Sequence, residues 1–108
     1  MNIAYALKES RKFKGWKQIE MAEKVGISQT YLSQIETGAK KPSTTLIEKF
    51  CKVLGVPIQV MFSLGMDESD VPKEKRDLYA QLKPVMNDII AHVMKPTVKK
   101  SPKSKTKK

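Results

Sequence analysis

Apolar residues recur every three or four positions through the first 64 residues, in short runs that several glycines terminate. This spacing places the apolar side chains on one side of an α-helix. Gly15 and Gly26 follow the first two runs, and glycine is common just after a helix ends. Ser28 precedes the third run, where a hydroxyl can accept a hydrogen bond from an amide in the first turn. The pattern predicts an all-α domain of five short helices over residues 1–64.

A second apolar pattern occupies residues 72–94, after a predicted linker at residues 65–71. Pro72 suits the first turn of a helix, whereas Pro84 lies inside the pattern and predicts either a kink or two short helices. The apolar positions are spaced as one helical seam. They are Leu78, Leu82, Val85, Met86, Ile89, Ile90 and Val93. The seam either pairs with a second copy of the chain or folds back on helices four and five. We favour dimerisation, because monomers seldom expose such a strip.

Charge divides the chain into three parts. The 108 residues carry a net charge of +10, of which residues 1–55 contribute +5, residues 56–94 contribute −2 and residues 95–108 contribute +7. A basic first segment suits a polyanion such as nucleic acid. The last 14 residues are mainly Lys, Pro, Ser and Thr, and we predict a disordered Lys-rich tail. A lysine run can also be merely solubilising, so the tail carries less weight.

Several classes of function find no support in the sequence. No apolar run approaches the roughly 20 residues that span a membrane, and residues 1–10 lack a secretory signal. Cys51 is the single cysteine, which excludes an intrachain disulfide and a multi-cysteine metal site. His92 is a lone histidine without metal-ligand partners. No catalytic constellation or phosphate loop is present. We predict a cytoplasmic protein that is not an enzyme and has no metal or cofactor.

An unusually polar helix is predicted at residues 29–36. Leu32 and Ile35 can bury one side of it, and the opposite side carries hydrogen-bonding groups. The polar set is Gln29, Thr30, Ser33 and Gln34. Two short helices joined at a glycine form a helix-turn-helix, in which the second helix enters the major groove of DNA. Glutamine can pair bidentately with adenine there, and Ser and Thr hydroxyls are less selective. The alternative is an ordinary solvated helix face.

A longer string of residues resembles the phage repressor/Cro (Xre) helix-turn-helix family. It reads QIEMA from Gln18, GIS from Gly26, LSQIETG from Leu32 and KPS from Lys41, within a resemblance that covers about residues 3–64. The resemblance implies that Gln29, Thr30 and Gln34 read bases, with Ser33 beside them. It further implies an ion pair between Arg11 and Glu36.

The resemblance also implies a set of contacts to the DNA backbone. Gln18 matches a residue that contacts a phosphate and braces the recognition helix, and Thr37, Lys40 and Lys41 match a loop that grips the backbone. Lys17 departs from the family, which often has Ser or Thr before this glutamine. A lysine cannot accept the capping hydrogen bond, but it can neutralise a phosphate. The predicted backbone contacts are Lys17, Gln18, Ser28, Tyr31, Thr37, Lys40 and Lys41. For Tyr31 the alternative is that it merely shields the helix.

We therefore expect a sequence-specific transcriptional regulator that binds double-stranded DNA. The expected form is a homodimeric repressor on a palindromic operator, which blocks polymerase sterically. The alternative is an antitoxin-type protein. In that case the N-terminal domain binds its own operator while the segment at residues 72–94 binds a small protein partner.

Overall fold

Six α-helices make up most of residues 1–94, the part of the chain that the computed structural model describes. They are α1 (Ile3–Lys14), α2 (Gln18–Val25), α3 (Gln29–Glu36), α4 (Thr44–Leu54), α5 (Ile58–Gly65) and α6 (Arg76–Met94). Two 3₁₀ turns, Glu68–Asp70 and Lys73–Lys75, lie between α5 and α6. The predicted all-α class is thereby confirmed, whereas the predicted disordered tail at residues 95–108 lies outside the described residues. None of the described helices combines the length and apolar character needed to cross a bilayer.

The helix ends lie where local side chains fix them. The hydroxyl of Ser28 accepts a hydrogen bond from the amide of Tyr31 at 3.0 Å, which caps α3, and Ser43 caps α4 through the amide of Leu46 at 3.1 Å. Gly26 ends α2 with a φ of 86°, a left-handed conformation that glycine adopts without steric cost. These caps satisfy amide and carbonyl groups that the helix ends would otherwise leave without partners.

The core of the five-helix domain is aliphatic apart from one aromatic ring. Its largest fully buried side chains are Leu7, Met21, Val25, Leu32, Ile35, Phe50, Leu54 and Met61. These residues come from all five helices, so each helix buries one stripe against the others. Cys51 joins this core, and burial raises the pKa of its thiol. Cys51 is therefore a packing residue.

The end of α5 packs closely against the start of α1. The amide of Asn2 donates to the carbonyl of Gly65 at 2.6 Å, and a Cβ atom at position 65 would lie 2.8 Å from the carbonyl oxygen of Asn2. That distance is too short for a carbon, and the atom in the way is backbone. Gly65 was expected in the linker, but in the structure it is the last residue of α5. Only glycine allows this approach.

A single helix, α6, continues through Pro84. The two-helix alternative is therefore wrong. Proline removes the hydrogen bond to the carbonyl four residues earlier, which belongs to Ala80. Ala80 and Pro84 are both exposed, so water can hydrate this carbonyl at little cost.

Two faces of α6 have different surroundings. Tyr79, Ile90 and Met94 are buried, and Ile90 and Met94 pack into the core of the helical domain. The hydroxyl of Tyr79 donates to the carbonyl of Met66 at 3.0 Å, which anchors the helix to the preceding segment. A second face, which we call the outer strip, is 47–58% exposed. It consists of Leu78, Leu82, Val85, Ile89 and Val93.

The buried face of α6 therefore agrees with the fold-back hypothesis, and dimerisation stays a prediction for the exposed face. Ile90 is only 6% exposed, because it packs within its own chain. It therefore offers little surface to a second copy. Met86, from the same predicted set, is half-buried. The periodicity of the sequence could not separate the two faces, because apolar residues cover both.

We expect Gly65→Ala to destabilise the fold. The added methyl group must displace the backbone of Asn2, and overpacking of this kind costs about 1–3 kcal/mol. Urea unfolding followed by circular dichroism measures the change. Gln59→Ala, on the exposed side of the same helix, is the matched control and should lie within about 0.5 kcal/mol of the unmodified protein. Equal stabilities for the two variants would contradict the close approach of α1 and α5.

Candidate nucleic-acid interface

The second helix of the α2–α3 pair is buried on its inner side and presents polar side chains on its outer side. Leu32 and Ile35 of α3 are fully buried, which fixes this helix to the domain by its inner side. The turn at Gly26 and the cap at Ser28 bring the first turn of α3 to the surface. The polar side of α3 is thus held rigidly without being buried.

The four residues predicted to read bases lie together on this surface. Gln29 and Thr30 are exposed, and Ser33 and Gln34 are half-buried. Together with Gln18 of α2, they line one shallow concavity of about 310 Å³. All five side chains carry amides or hydroxyls, and none carries a charge. This surface is chemically suited to forming directional hydrogen bonds.

A buried ion pair, together with the hydrogen bonds around it, links three helices behind this surface. Glu36, whose side chain is 2% exposed, accepts hydrogen bonds from Nε of Arg11 at 2.8 Å and from Nη2 of Arg11 at 3.0 Å. Nη1 of the same guanidinium donates to the carbonyl of Trp16 at 2.8 Å. The ion pair implied by the family resemblance is therefore present, and it links α1 to the end of α3.

Gln18 extends this network to α2. Its amide nitrogen donates to Oε1 of Glu36 at 3.0 Å, so the side chain is held against the last turn of α3. The bracing of the recognition helix that the resemblance implied is observed here. The amide nitrogen has a second proton, which remains available to a phosphate.

The loop after α3 presents two lysines at the surface. The hydroxyl of Thr37 donates to the carbonyl of Gln34 at 3.2 Å, and the amide of Lys40 donates to the same carbonyl at 3.1 Å. These bonds fold the loop back against the end of α3. Lys40 and Lys41 are exposed, and neither forms an ion pair within residues 1–94. Both ammonium groups can reach outward from the polar surface.

The other predicted backbone contacts differ in their surroundings. Lys17 is exposed before α2, and its amide donates to the carboxylate of Glu20 at 2.8 Å, which is half of a capping box. Its side chain has no acceptor to complete that motif. Ser28 is exposed and uses its hydroxyl as the cap of α3. Tyr31 is half-buried against the core, so a packing role is present whatever its hydroxyl does.

One basic residue beside this surface, Lys49, could not be predicted from the sequence pattern. Nζ of Lys49, from α4, lies 3.3 Å from the position of a Cβ built on Gly26. Its positive charge therefore stands next to the turn that leads into α3. The two residues are 23 positions apart in the chain, and no local motif connects them. Only the packing of α4 against α2 reveals this proximity.

Comparisons with known proteins agree with this geometry. A helix-turn-helix family model matches residues 7–61. The chain belongs to the phage repressor/Cro helix-turn-helix family. An ImmF control region 10 kDa protein of Bacillus phage phi105 is 40% identical over 68 residues, which is 63% of this chain and 72% of that protein.

Two further relatives extend over more of the chain. The transcriptional regulator SinR of Bacillus licheniformis is 31% identical over 90 residues, which is 82% of this chain and 78% of that protein. The immunity repressor protein of Bacillus phage phi105 is 23% identical over 94 residues, which is 82% of this chain and 65% of that protein. No solved structure matches the chain.

We expect Arg11→Ala to destabilise this helix-turn-helix protein strongly. Removal of the guanidinium leaves the buried carboxylate of Glu36 with Gln18 as its remaining side-chain partner, and loss of one partner of a buried ion pair costs about 3–5 kcal/mol. Thermal and urea unfolding measure the loss. Lys12→Ala is the control, because Lys12 is exposed and its 3.6 Å ion pair with the half-buried Glu9 contributes about 0.5 kcal/mol or less. Similar losses in both variants would show that the network does not hold the helices together.

Proposed function

We propose that this protein is a sequence-specific DNA-binding transcriptional regulator, and that it acts as a repressor. The single observation that carries the proposal is the shared polar surface of α2 and α3. Four side chains of α3 that are suited to reading bases line one concavity together with Gln18 of α2, which is suited to holding a phosphate. The family membership and the relatives named as regulators and repressors support the same function.

Readout would occur in the major groove, with the first turns of α3 against the base edges. Gln29 and Gln34 each offer a donor and an acceptor, the pair of groups that recognises adenine. The hydroxyls of Thr30 and Ser33 accept or donate at either kind of base pair, and the methyl group of Thr30 can contact a thymine methyl.

Affinity would come from the backbone contacts around that surface. Lys17 and Gln18 lie at the start of α2, and Lys40 and Lys41 lie beyond the end of α3. Phosphates bound by these groups release counterions, so binding weakens steeply as salt increases. We add Lys49 to the predicted phosphate contacts because it stands beside the turn that leads into α3.

Repression would follow from occupancy of a promoter by a homodimer. A single helix-turn-helix reads a few base pairs, and two copies on a palindromic operator read two half-sites about 34 Å apart. The exposed outer strip of α6 supports self-association. The same strip also suits a small protein partner, as in an antitoxin that regulates its own operator. Co-purification of a second protein from the native host would favour that alternative.

Selection from random duplex DNA tests the proposal directly. At about 150 mM salt, where charge-driven binding is suppressed, we expect the recovered sequences to share a two-fold symmetric motif. Such a motif would establish base readout, and its half-site spacing would constrain the dimer. Recovery of random sequence would contradict specific readout by α3 and would favour the partner-binding alternative.

We expect Gln29→Ala to weaken binding to the selected site by about 1–3 kcal/mol while leaving binding to random DNA nearly unchanged. The reason is that the amide contributes only where its base is present. Lys41→Ala is the matched control. It should weaken both kinds of DNA alike and reduce the slope of log affinity against log salt by about 0.9. Fluorescence anisotropy at several salt concentrations measures both variants. An equal loss on both DNAs for Gln29→Ala would remove this residue from the base-reading set.

A further inference from the structure

We propose that two copies of this chain associate through α6 as an antiparallel pair, with the outer strip of one copy against that of the other. The groove between α5 and α6 of each copy flanks the contact. The inference rests on the proposed function only in that a two-fold operator requires a two-fold protein. It adds the surface, the orientation and the register of the pair.

The outer strip is long and apolar enough for such an interface. Its five side chains run from Leu78 to Val93, about 22 Å along the helix. Their exposed parts amount to roughly 450 Å² of apolar surface on each copy, or about 900 Å² in total. Because the groove residues add little to this area, the pair lies near the roughly 1,000 Å² at which an interface can be specific but weak. In a monomer all of this apolar surface would face water.

A groove continues the strip toward α5. It has a volume of about 230 Å³, and it is lined by Val60, Ser63, Met86, Ile89, Ile90 and Val93. Ile89 and Val93 belong to both the groove and the outer strip, so the two form one apolar surface. Because α5 supplies its far wall, this surface is wider than a single helix face. A second copy would cover both parts at once.

The charges of α6 favour a second copy over a charged partner. Arg76 and Lys83 balance Asp77 and Asp88, so the helix has no net charge, whereas residues 1–55 carry +5. Two copies can therefore approach through α6 without the repulsion that their basic domains would cause elsewhere. The outer strip itself contains no ionisable residue. A charged ligand would find no complementary group there.

The two edges of the outer strip determine the orientation. One edge carries Asp77, Gln81, Asp88 and His92, and the other carries Met86 and the groove. A parallel pair related by a two-fold axis places each polar edge against the apolar edge of its partner, which would desolvate the carboxylates. An antiparallel pair places like edges together. The polar edges then remain hydrated, and each groove lies beside the first half of the partner's α6.

The polar edge also determines the register, that is, which residues of the two copies lie opposite each other. With Leu82 of one copy opposite Val85 of the other, Leu78 lies opposite Ile89, and the interlocking of the strip is preserved. Along the polar edge, Gln81 then faces Asp88. A slip of one heptad, the next register that keeps the interlocking, would place Asp88 against Asp88, and this repulsion disfavours the alternative register.

Sedimentation of the full chain between about 1 and 100 µM tests the association, because interfaces of this size dissociate in about the micromolar range. We expect a concentration-dependent dimer that Val85→Asp weakens at least tenfold. Ala80→Asp, on an exposed part of α6 away from the strip, is the control and should behave like the unmodified protein. Circular dichroism confirms that both variants fold. A protein that stays monomeric, or an unchanged dimer in Val85→Asp, would overturn the inference.

Disulfide trapping tests the orientation. In a Cys51→Ala background, Leu78→Cys and Ile89→Cys should each fail to cross-link alone, because identical positions lie about 16 Å apart in the antiparallel pair, beyond disulfide reach. A mixture of the two variants should cross-link. Cross-linking of either variant alone would indicate a parallel pair and contradict the proposal.

The tests of the dimer can fail independently of the test of base readout. Val85→Asp leaves the surface of α3 untouched, so it should keep the base preferences of the unmodified protein on a single half-site. A monomeric protein that still discriminates bases would refute the dimer alone. A dimer without base preference would refute readout alone.

Discussion

The buried carboxylate of Glu36 is the interaction on which the geometry of the polar surface depends. A charge in this position is costly unless its oxygen atoms are fully paired, and here Arg11 and Gln18 supply three hydrogen bonds. These partners come from α1 and α2, so the requirement fixes the position of α3 against both. The network stabilises one arrangement of the helices, and that arrangement brings Gln18 beside the four polar residues of α3.

The bounds of α3 could be predicted from the sequence because their causes are local. Ser28 supplies the cap, Gly26 supplies the left-handed turn, and Leu32 with Ile35 defines the buried side, all within ten residues. The structure places the helix at Gln29–Glu36, as predicted. Because the polar side of a short helix follows from its buried side, the grouping of Gln29, Thr30, Ser33 and Gln34 followed as well.

Features that depend on residues far apart in the chain could not be predicted from local sequence patterns. The pair of Arg11 and Glu36 was expected from the family resemblance and not from any local pattern. The approach of Lys49 to Gly26 and the tight contact of Gly65 with Asn2 both depend on how helices pack, which a periodic pattern does not encode. For α6, periodicity identified the apolar positions but not which of them the domain would cover. Ile90 and Val93 look equivalent in the sequence, yet one is buried and the other exposed.

The packing of α6 determines what a pair of copies could do on DNA. Its inner face contacts α1 and α5, and α1 is tied to the end of α3 by the guanidinium of Arg11. A rigid chain of contacts therefore runs from the outer strip to the polar surface of the recognition helix. If α6 pairs as proposed, the separation of the two recognition helices is fixed by packed helices and not by a flexible linker. Such a protein would tolerate little variation in half-site spacing, because a change of spacing would have to strain the buried network around Glu36 or separate the α6 pair.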